Sequence, residues 1–161
     1  MRGWRFEGLS AVNLRVLKQG LKHDGVDVYM LDIDATGIEA EKESARMTYK
    51  GYTGYMPIVG NLAENGLVIG DEFRKGNEVP ASRNLEFMKH REVQLPKGKH
   101  IKAFRTGSAA YQAKIINYCN KKGMLFAVGG DLYEAVVRQI DSLGVIGGFI
   151  RMVLLPTRRI A

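Results

Sequence analysis

Hydrophobic and polar positions alternate with distinct periods along this chain. Residues 10–22 (SAVNLRVLKQGLK) carry Leu14, Leu17 and Leu21 at helical spacing, with Ser10 as the candidate cap and His23-Asp24-Gly25 as the stop. Residues 27–35 read as a first strand, in which Val28, Met30, Leu31 and Ile33 run into Asp32 and Asp34. Residues 37–50 (GIEAEKESARMTYK) are charged and poorly patterned, which predicts a loop or a short helix. GYMPIVGNLA and LVIGDEFRKGN then flank Glu64-Asn65-Gly66. Asn-Gly between apolar runs is a strong hairpin signal, because both residues accept the left-handed backbone of a tight turn.

Pro80 and Ser82 open a predicted helix with Leu85 and Met88, which must stop near Pro96. HIKAFRTGS is a fourth strand. SAAYQAKIINYCNKKG is an amphipathic helix with Tyr111, Ile115 and Cys119 on one stripe and Gly123 as its stop. MLFAVGG is a fifth strand. A last helix is capped by Asp131 and Glu134 and turns Leu132, Ala135, Val136, Ile140 and Leu143 inward. Three strands joined by antiparallel connections, then strands fed by crossover helices, predict an α/β mixed sheet with helices on its faces.

Composition narrows this picture modestly. The chain has 161 residues, 45% of them hydrophobic, enough for a folded domain with a sizeable core. A formal net charge of +7 favours an anionic partner such as nucleic acid. Cys119 is the single cysteine, so an intramolecular disulfide and a zinc knuckle are excluded, which suits a reducing cytoplasm. MRGWRFEGLS lacks the apolar core of a signal peptide. The apolar tail GVIGGFIRMVLLPTRRIA is broken by Arg151 and Pro156, so no membrane span is expected.

The two aspartates carry the chemical question. Residues two apart in a strand share a face, which puts Asp32 and Asp34 roughly 7 Å apart on the same side. They read either as solvated or cation-paired carboxylates at a strand end, or as ligands of a hard divalent cation such as Mg²⁺. Sites in open α/β sheets gather at the carboxyl ends of strands. The candidate ends are Asp34-Ala35-Thr36 and Arg105-Thr106-Gly107-Ser108. Lys50, Tyr52, Tyr55, Arg74, Lys75, Arg105 and Tyr111 lie on segments able to rim such a cleft, a mixture suited to phosphates and unpaired bases. His23, His90 and His100 have no zinc spacing, and Cys119 belongs to an apolar stripe. Gly129-Gly130-Asp131 reads as a strand-to-helix turn.

LDIDAT, YKGYTGYMPIVGNLAENGLVIGDEFRKGN and FRTGSAAYQAKIINYCNKKGMLFAVGGD, in that order over residues 26–136, resemble the DDE transposase domain of bacterial insertion sequences. The resemblance implies a ribonuclease-H-like fold, a mixed five-stranded sheet with helices on both faces. It implies Mg²⁺-dependent DNA cleavage and strand transfer by three acidic residues holding two metal ions. It places the first acid at Asp34, with Asp32 as a neighbouring metal contact. Arg74, Lys75 and Arg105 are the candidate phosphate contacts among the basic residues of the chain. The second acid falls on Gly107, which offers no carboxylate, and Ser108 is a neutral substitute. For the third acid only Glu134 stands on a suitable helix, and its capping role explains it. The expected organisation is an N-terminal helical segment over 1–25, an incomplete core over 26–144 and a divergent tail over 145–161. The expected partners are DNA and a second or full-length transposase copy, with no membrane and no small-molecule substrate, in a bacterial cytoplasm. Two other readings stay open: a non-enzymatic DNA-binding or oligomerising remnant, and a small metal-dependent nuclease using Asp32, Asp34 and Glu134.

Overall fold

The structure, a computed structural model, describes residues 7–130 and 133–142. In chain order these form α1 (Glu7–His23), β1 (Val28–Ala35), β2 (Ile38–Glu39), β3 (Arg46–Met47), β4 (Thr53–Tyr55), β5 (Ile58–Leu62) and β6 (Val68–Glu72). There follow α2 (Asn84–Gln94), β7 (His100–Thr106), a single 3₁₀ turn (Ser108–Ala110), α3 (Ala113–Lys122), β8 (Leu125–Val128) and α4 (Glu134–Ser142).

Five strands make one sheet in the order β6-β5-β1-β7-β8. β5 is antiparallel to both β1 and β6, whereas β7 is parallel to β1 and β8 to β7. This is the mixed, ribonuclease-H-like arrangement expected from the sequence. The hairpin forms around Asn65-Gly66, but only Gly66 takes the left-handed backbone, at φ +70°; Asn65 serves through its side chain, whose Oδ1 accepts from Leu67 N at 3.0 Å.

Burial alternates strictly along the central strand. Tyr29, Leu31 and Ile33 are buried, while Val28, Met30, Asp32 and Asp34 are exposed or half-buried. Phe87 of α2 packs over the buried side, close enough to Gly60 that a side chain there would strike its ring. Leu17 and Leu21 of α1, Met88 of α2 and Ile115 and Cys119 of α3 join the same cluster with Leu31, Leu62 and Phe104. Each such apolar side chain contributes about 1.5–3 kcal/mol on leaving water. On the other side of β1, Asp32 is half-buried and Asp34 exposed.

Several elements differ from the sequence reading, each for a local reason. Residues 37–50 hold two short strands that join β4 in a second sheet of order β2-β4-β3. Each is two residues long and exposed throughout, so no alternation announces it. GYMPIVGNLA is divided at Met56-Pro57: β4 belongs to the small sheet and β5 to the main one. Pro57 has no amide for a ladder, and its carbonyl instead accepts from Thr36 N at 3.0 Å. α1 begins at Glu7, so Ser10 lies inside it. α2 begins at Asn84 after Arg83 in a left-handed conformation, and it ends at Gln94 because Leu95, before Pro96, is extended. The helix expected from Ser108 is interrupted at Tyr111-Gln112, where the Gln112 side chain binds the carbonyls of Ala81 and Ala109. Tyr111 is consequently exposed rather than on the apolar stripe. Ala135 of α4 is exposed, not inward; the side chains of Val136 and Ile140, and the whole of Asp131, Leu132 and Leu143, lie outside the described residues. Among the described residues no helix is long and apolar enough to cross a membrane.

Candidate functional site

β1 and β7 are neighbours and parallel, so their carboxyl ends emerge together. Their register pairs Asp32 with Arg105 and Ile33 with Thr106. The next step sets Asp34 beside Gly107. A cleft of about 310 Å³ opens there, with Asp34, Gly107, Ser108, Asn84, Tyr49 and Lys50 in its walls. A second hollow of about 270 Å³ lies toward Asp32, Asn61 and Arg105, and Asp34 and Gly107 border both.

The Asp34 carboxylate is exposed and makes no ion pair or hydrogen bond with any described residue, although its backbone is paired with Val59 in the sheet. Asp32 is different. Arg105 Nε donates to its Oδ1 at 2.8 Å and Nη2 reaches its Oδ2, a two-pronged grip across the strands. The Asp32 carboxylate raises the pKa of the Arg105 guanidinium, first through these hydrogen bonds and then through its charge. Asp32 and Arg105 therefore satisfy each other, and either must be released before it meets a metal ion or a phosphate.

Gly107 is glycine without a backbone need to be. Its φ of −73° and ψ of −176° are ordinary extended values. A Cβ built there meets nothing within 4 Å. Gly129 is the contrasting case, since a Cβ there would come within 2.8 Å of Ser108 N. Its amide donates to Thr106 O at 3.0 Å, holding the turn after β8 against the end of β7.

The expected phosphate contacts differ in their surroundings. Lys75 is exposed and its backbone pairs with Tyr55. Arg74, in contrast to the sequence expectation, is 1% exposed and has no surface to offer a phosphate. Its Nε binds Glu72 Oε1 at 3.0 Å and its Nη1 binds Asn84 Oδ1 at 3.1 Å, while Nη2 is buried without a partner. Asn84 Nδ2 in turn donates to Ala109 O at 3.4 Å. Arg74 thus acts from below, through Asn84, on the loop that follows Gly107. Asn84 was not singled out from the sequence, where a lone Asn at the start of a helix reads as a cap.

The small sheet brings the cleft its aromatic residue. Tyr49 and Lys50 form the tip of the β3–β4 loop and line the cleft. Tyr49 escaped the sequence reading, which named its neighbours Lys50, Tyr52 and Tyr55. Tyr52 packs its hydroxyl where a Gly37 side chain would stand. Tyr55 is occupied by Ser44 and by the ring of Phe73, 4.6 Å away between centroids.

The donors present do not make a divalent-cation site of the expected kind. Asp34 is one carboxylate, Asp32 is engaged, Gly107 has no donor and Ser108 is neutral. Glu134 is 80% exposed and paired with Arg138 one turn along α4. Among the described residues no group of three or more His, Cys, Asp or Glu is placed to hold a metal ion. Cys119 is fully buried, and burial pushes its thiol up to about 11, as befits a core residue.

No protein-family model matches the sequence, and no curated protein matches it. Among solved structures, the fold is similar to the catalytic domain of the Mos1 mariner transposase, at 13% identity over 89% of this chain and 72% of that one, with a TM-score of 0.46. It is also similar to the Mos1 paired-end complex with Mn, at 13% identity over 89% of this chain and 56% of that one, TM-score 0.42. For the Mos1 paired-end complex with the left transposon end, the figures are 13%, 89%, 55% and 0.42. The chain spans little more than half the length of the proteins in those two complexes. At such identity the likeness extends to the fold and to no residue's role.

Proposed function

We propose that this chain is the core of a DDE-type transposase that keeps a DNA-binding cleft and has lost the acidic residues needed for strand cleavage. The carrying observation is the placement of Asp34 beside Gly107 at the ends of adjacent parallel strands, in one cleft, with open space where a carboxylate would project. The sequence resemblance puts the first and second metal-binding acids at these two positions. Lys50 at the cleft wall and the net charge of +7 supply the attraction for a phosphate backbone, and Arg105 can add to it once Asp32 releases it. In an intact relative of this kind, Mg²⁺ held by the acids would activate the attacking oxygen and stabilise the leaving one. The donor set here supports no such step.

The engagement of Asp32 by Arg105 and the exposed Glu134–Arg138 pair favour a DNA-binding role over a nuclease built on Asp32, Asp34 and Glu134. A chain of this kind would occupy DNA, or pair with an active copy, without cutting. The test is fluorescence anisotropy with a labelled duplex alongside a plasmid-nicking assay in Mg²⁺ and in Mn²⁺. Expected are salt-dependent binding that ignores EDTA and an intact plasmid. Metal-dependent nicking abolished by Asp34→Ala would overturn the loss of activity, and absence of any DNA binding would overturn the reading altogether.

A further inference from the structure

We propose that the Tyr49–Lys50 tip of the small sheet is a receiving site for an unpaired nucleotide, with the Tyr49 ring stacking on the base and Lys50 meeting the adjoining phosphate. This deepens the reading of the cleft as a DNA site and rests on it.

Tyr49 is 67% exposed although it lines the cleft. Among the described residues its only ring neighbour is its own sequence neighbour, Lys50, whose Nζ lies 5.9 Å from the ring centroid. A tyrosine held open to solvent beside a cation and a cleft leaves an apolar face for another flat ring.

The loop is braced, so little ordering is left for a ligand to impose. Thr48 is 4% exposed and closes the loop's base: its Oγ1 and its amide both donate to Tyr52 O at 2.8 Å. Gly51 N donates to Thr48 O at 3.1 Å, and Gly51 turns the chain at φ +87°. The Tyr52 hydroxyl sits so close to Gly37 that a side chain there would overlap it, which fastens the loop to the strand leaving β1. The base of the loop thus packs against the segment that follows Asp34.

The ligand chemistry follows from the pair of groups. A paired base in a duplex hides its faces in the stack, whereas an unpaired or splayed base offers one to Tyr49. Lys50 supplies a compact positive charge for the phosphate next to it.

Fluorescence anisotropy with a labelled 12-nucleotide single strand and the matching blunt duplex separates these roles. Tyr49→Ala is expected to weaken single-strand binding roughly 5- to 150-fold, the effect of losing one base stack, and to leave duplex binding unchanged. Tyr49→Phe keeps the ring and is expected to bind like the wild type. Lys50→Ala is expected to weaken both and to reduce the single-strand salt slope by about 0.7. A 2-aminopurine placed in the strand is expected to lose fluorescence on binding the wild type and not on binding Tyr49→Ala. Equal single-strand affinity for wild type and Tyr49→Ala, with duplex binding intact, overturns this site alone. No binding of either DNA overturns the reading on which it rests.

Discussion

Asp34 and Gly107 occupy neighbouring positions at the carboxyl ends of two parallel central strands, one step beyond the Ile33–Thr106 register pair. One carries an exposed carboxylate, and the other, in the wall of the same cleft, has room for a Cβ. Gly107→Asp is therefore expected to fold, because the backbone there is already in a region open to any residue. Without metal the new carboxylate faces Asp34 across the strands, a like-charge pair that costs about 0.2–1 kcal/mol. With Mg²⁺ or Mn²⁺ that cost turns into binding. At a metal concentration about a hundredfold above Kd, the gain in stability is about 2.7 kcal/mol. Thermal unfolding with and without metal reads this: a metal-dependent rise in Tm for Gly107→Asp, little for wild type, and none once Asp34→Asn is added. A metal response that survives Asp34→Asn would place the cation elsewhere. Nicking stays absent, since the third acid is still missing.

The Asp32–Arg105 grip predicts a trade between two uses of the same guanidinium. The arginine side chain is 59% exposed, so the pair is worth no more than about 1 kcal/mol to stability. Asp32→Asn should leave the urea midpoint almost unmoved. It frees Arg105 and removes a negative charge from the hollow beside Asp34, so DNA affinity at low salt should rise several-fold and its salt slope should steepen. Anisotropy titrations over a range of salt check both. Unchanged affinity and slope would show that Arg105 stands outside the DNA path.

How far the sequence revealed this molecule depended on whether a feature was local or relational. The Asn65-Gly66 turn, the helix stop at Gly123 and the strand that carries Asp32 and Asp34 each have their own signal and were legible. The small sheet was not, because Ile38–Glu39 and Arg46–Met47 are strands only through their pairing with β4. Arg74 misled for a similar reason. A basic residue beside Lys75 reads as surface, and only the fold shows that Glu72 and Asn84 receive it inside. The Asp34–Gly107 adjacency depends on strand order, because β1 and β7 are parallel neighbours. The grip of Arg105 on Asp32 needed the register, which the sequence leaves free.

Burial of Arg74 gives a prediction opposite to that for a phosphate contact. Arg74→Ala removes the partner of Glu72 and Asn84 and leaves buried polar groups unpaired, a loss on the order of 3 kcal/mol. Chemical denaturation should show a lower midpoint with an unchanged slope. Arg74→Met refills the volume with an apolar chain and should recover part of the loss, since Glu72 retains Arg83 at 2.7 Å. Neither variant should alter the salt slope of DNA binding. A reduced slope in a folded Arg74 variant would return the residue to the DNA interface.

Acid sensitivity should arise at the other end of β1. The Asp24 carboxylate accepts from the Tyr29 hydroxyl at 2.6 Å, Val26 N at 3.1 Å, Asn65 Nδ2 at 3.0 Å and Lys99 Nζ at 3.1 Å. The Tyr29 hydrogen bond leads in lowering its pKa from 3.8 to about 2, and burial with the same bond pushes Tyr29 up to about 12. Because the folded value is the lower one, the unfolded chain binds more protons between them. The Asp24 contribution is thus complete above 3.8 and is lost as pH falls through about 2. Urea unfolding at a series of pH values should show the wild type weakening across that window. Asp24→Asn should be less stable than wild type near neutrality and should weaken less over the same window. A wild type and a variant with parallel pH profiles there would mean that Asp24 is no better bonded in the folded chain than in the unfolded one.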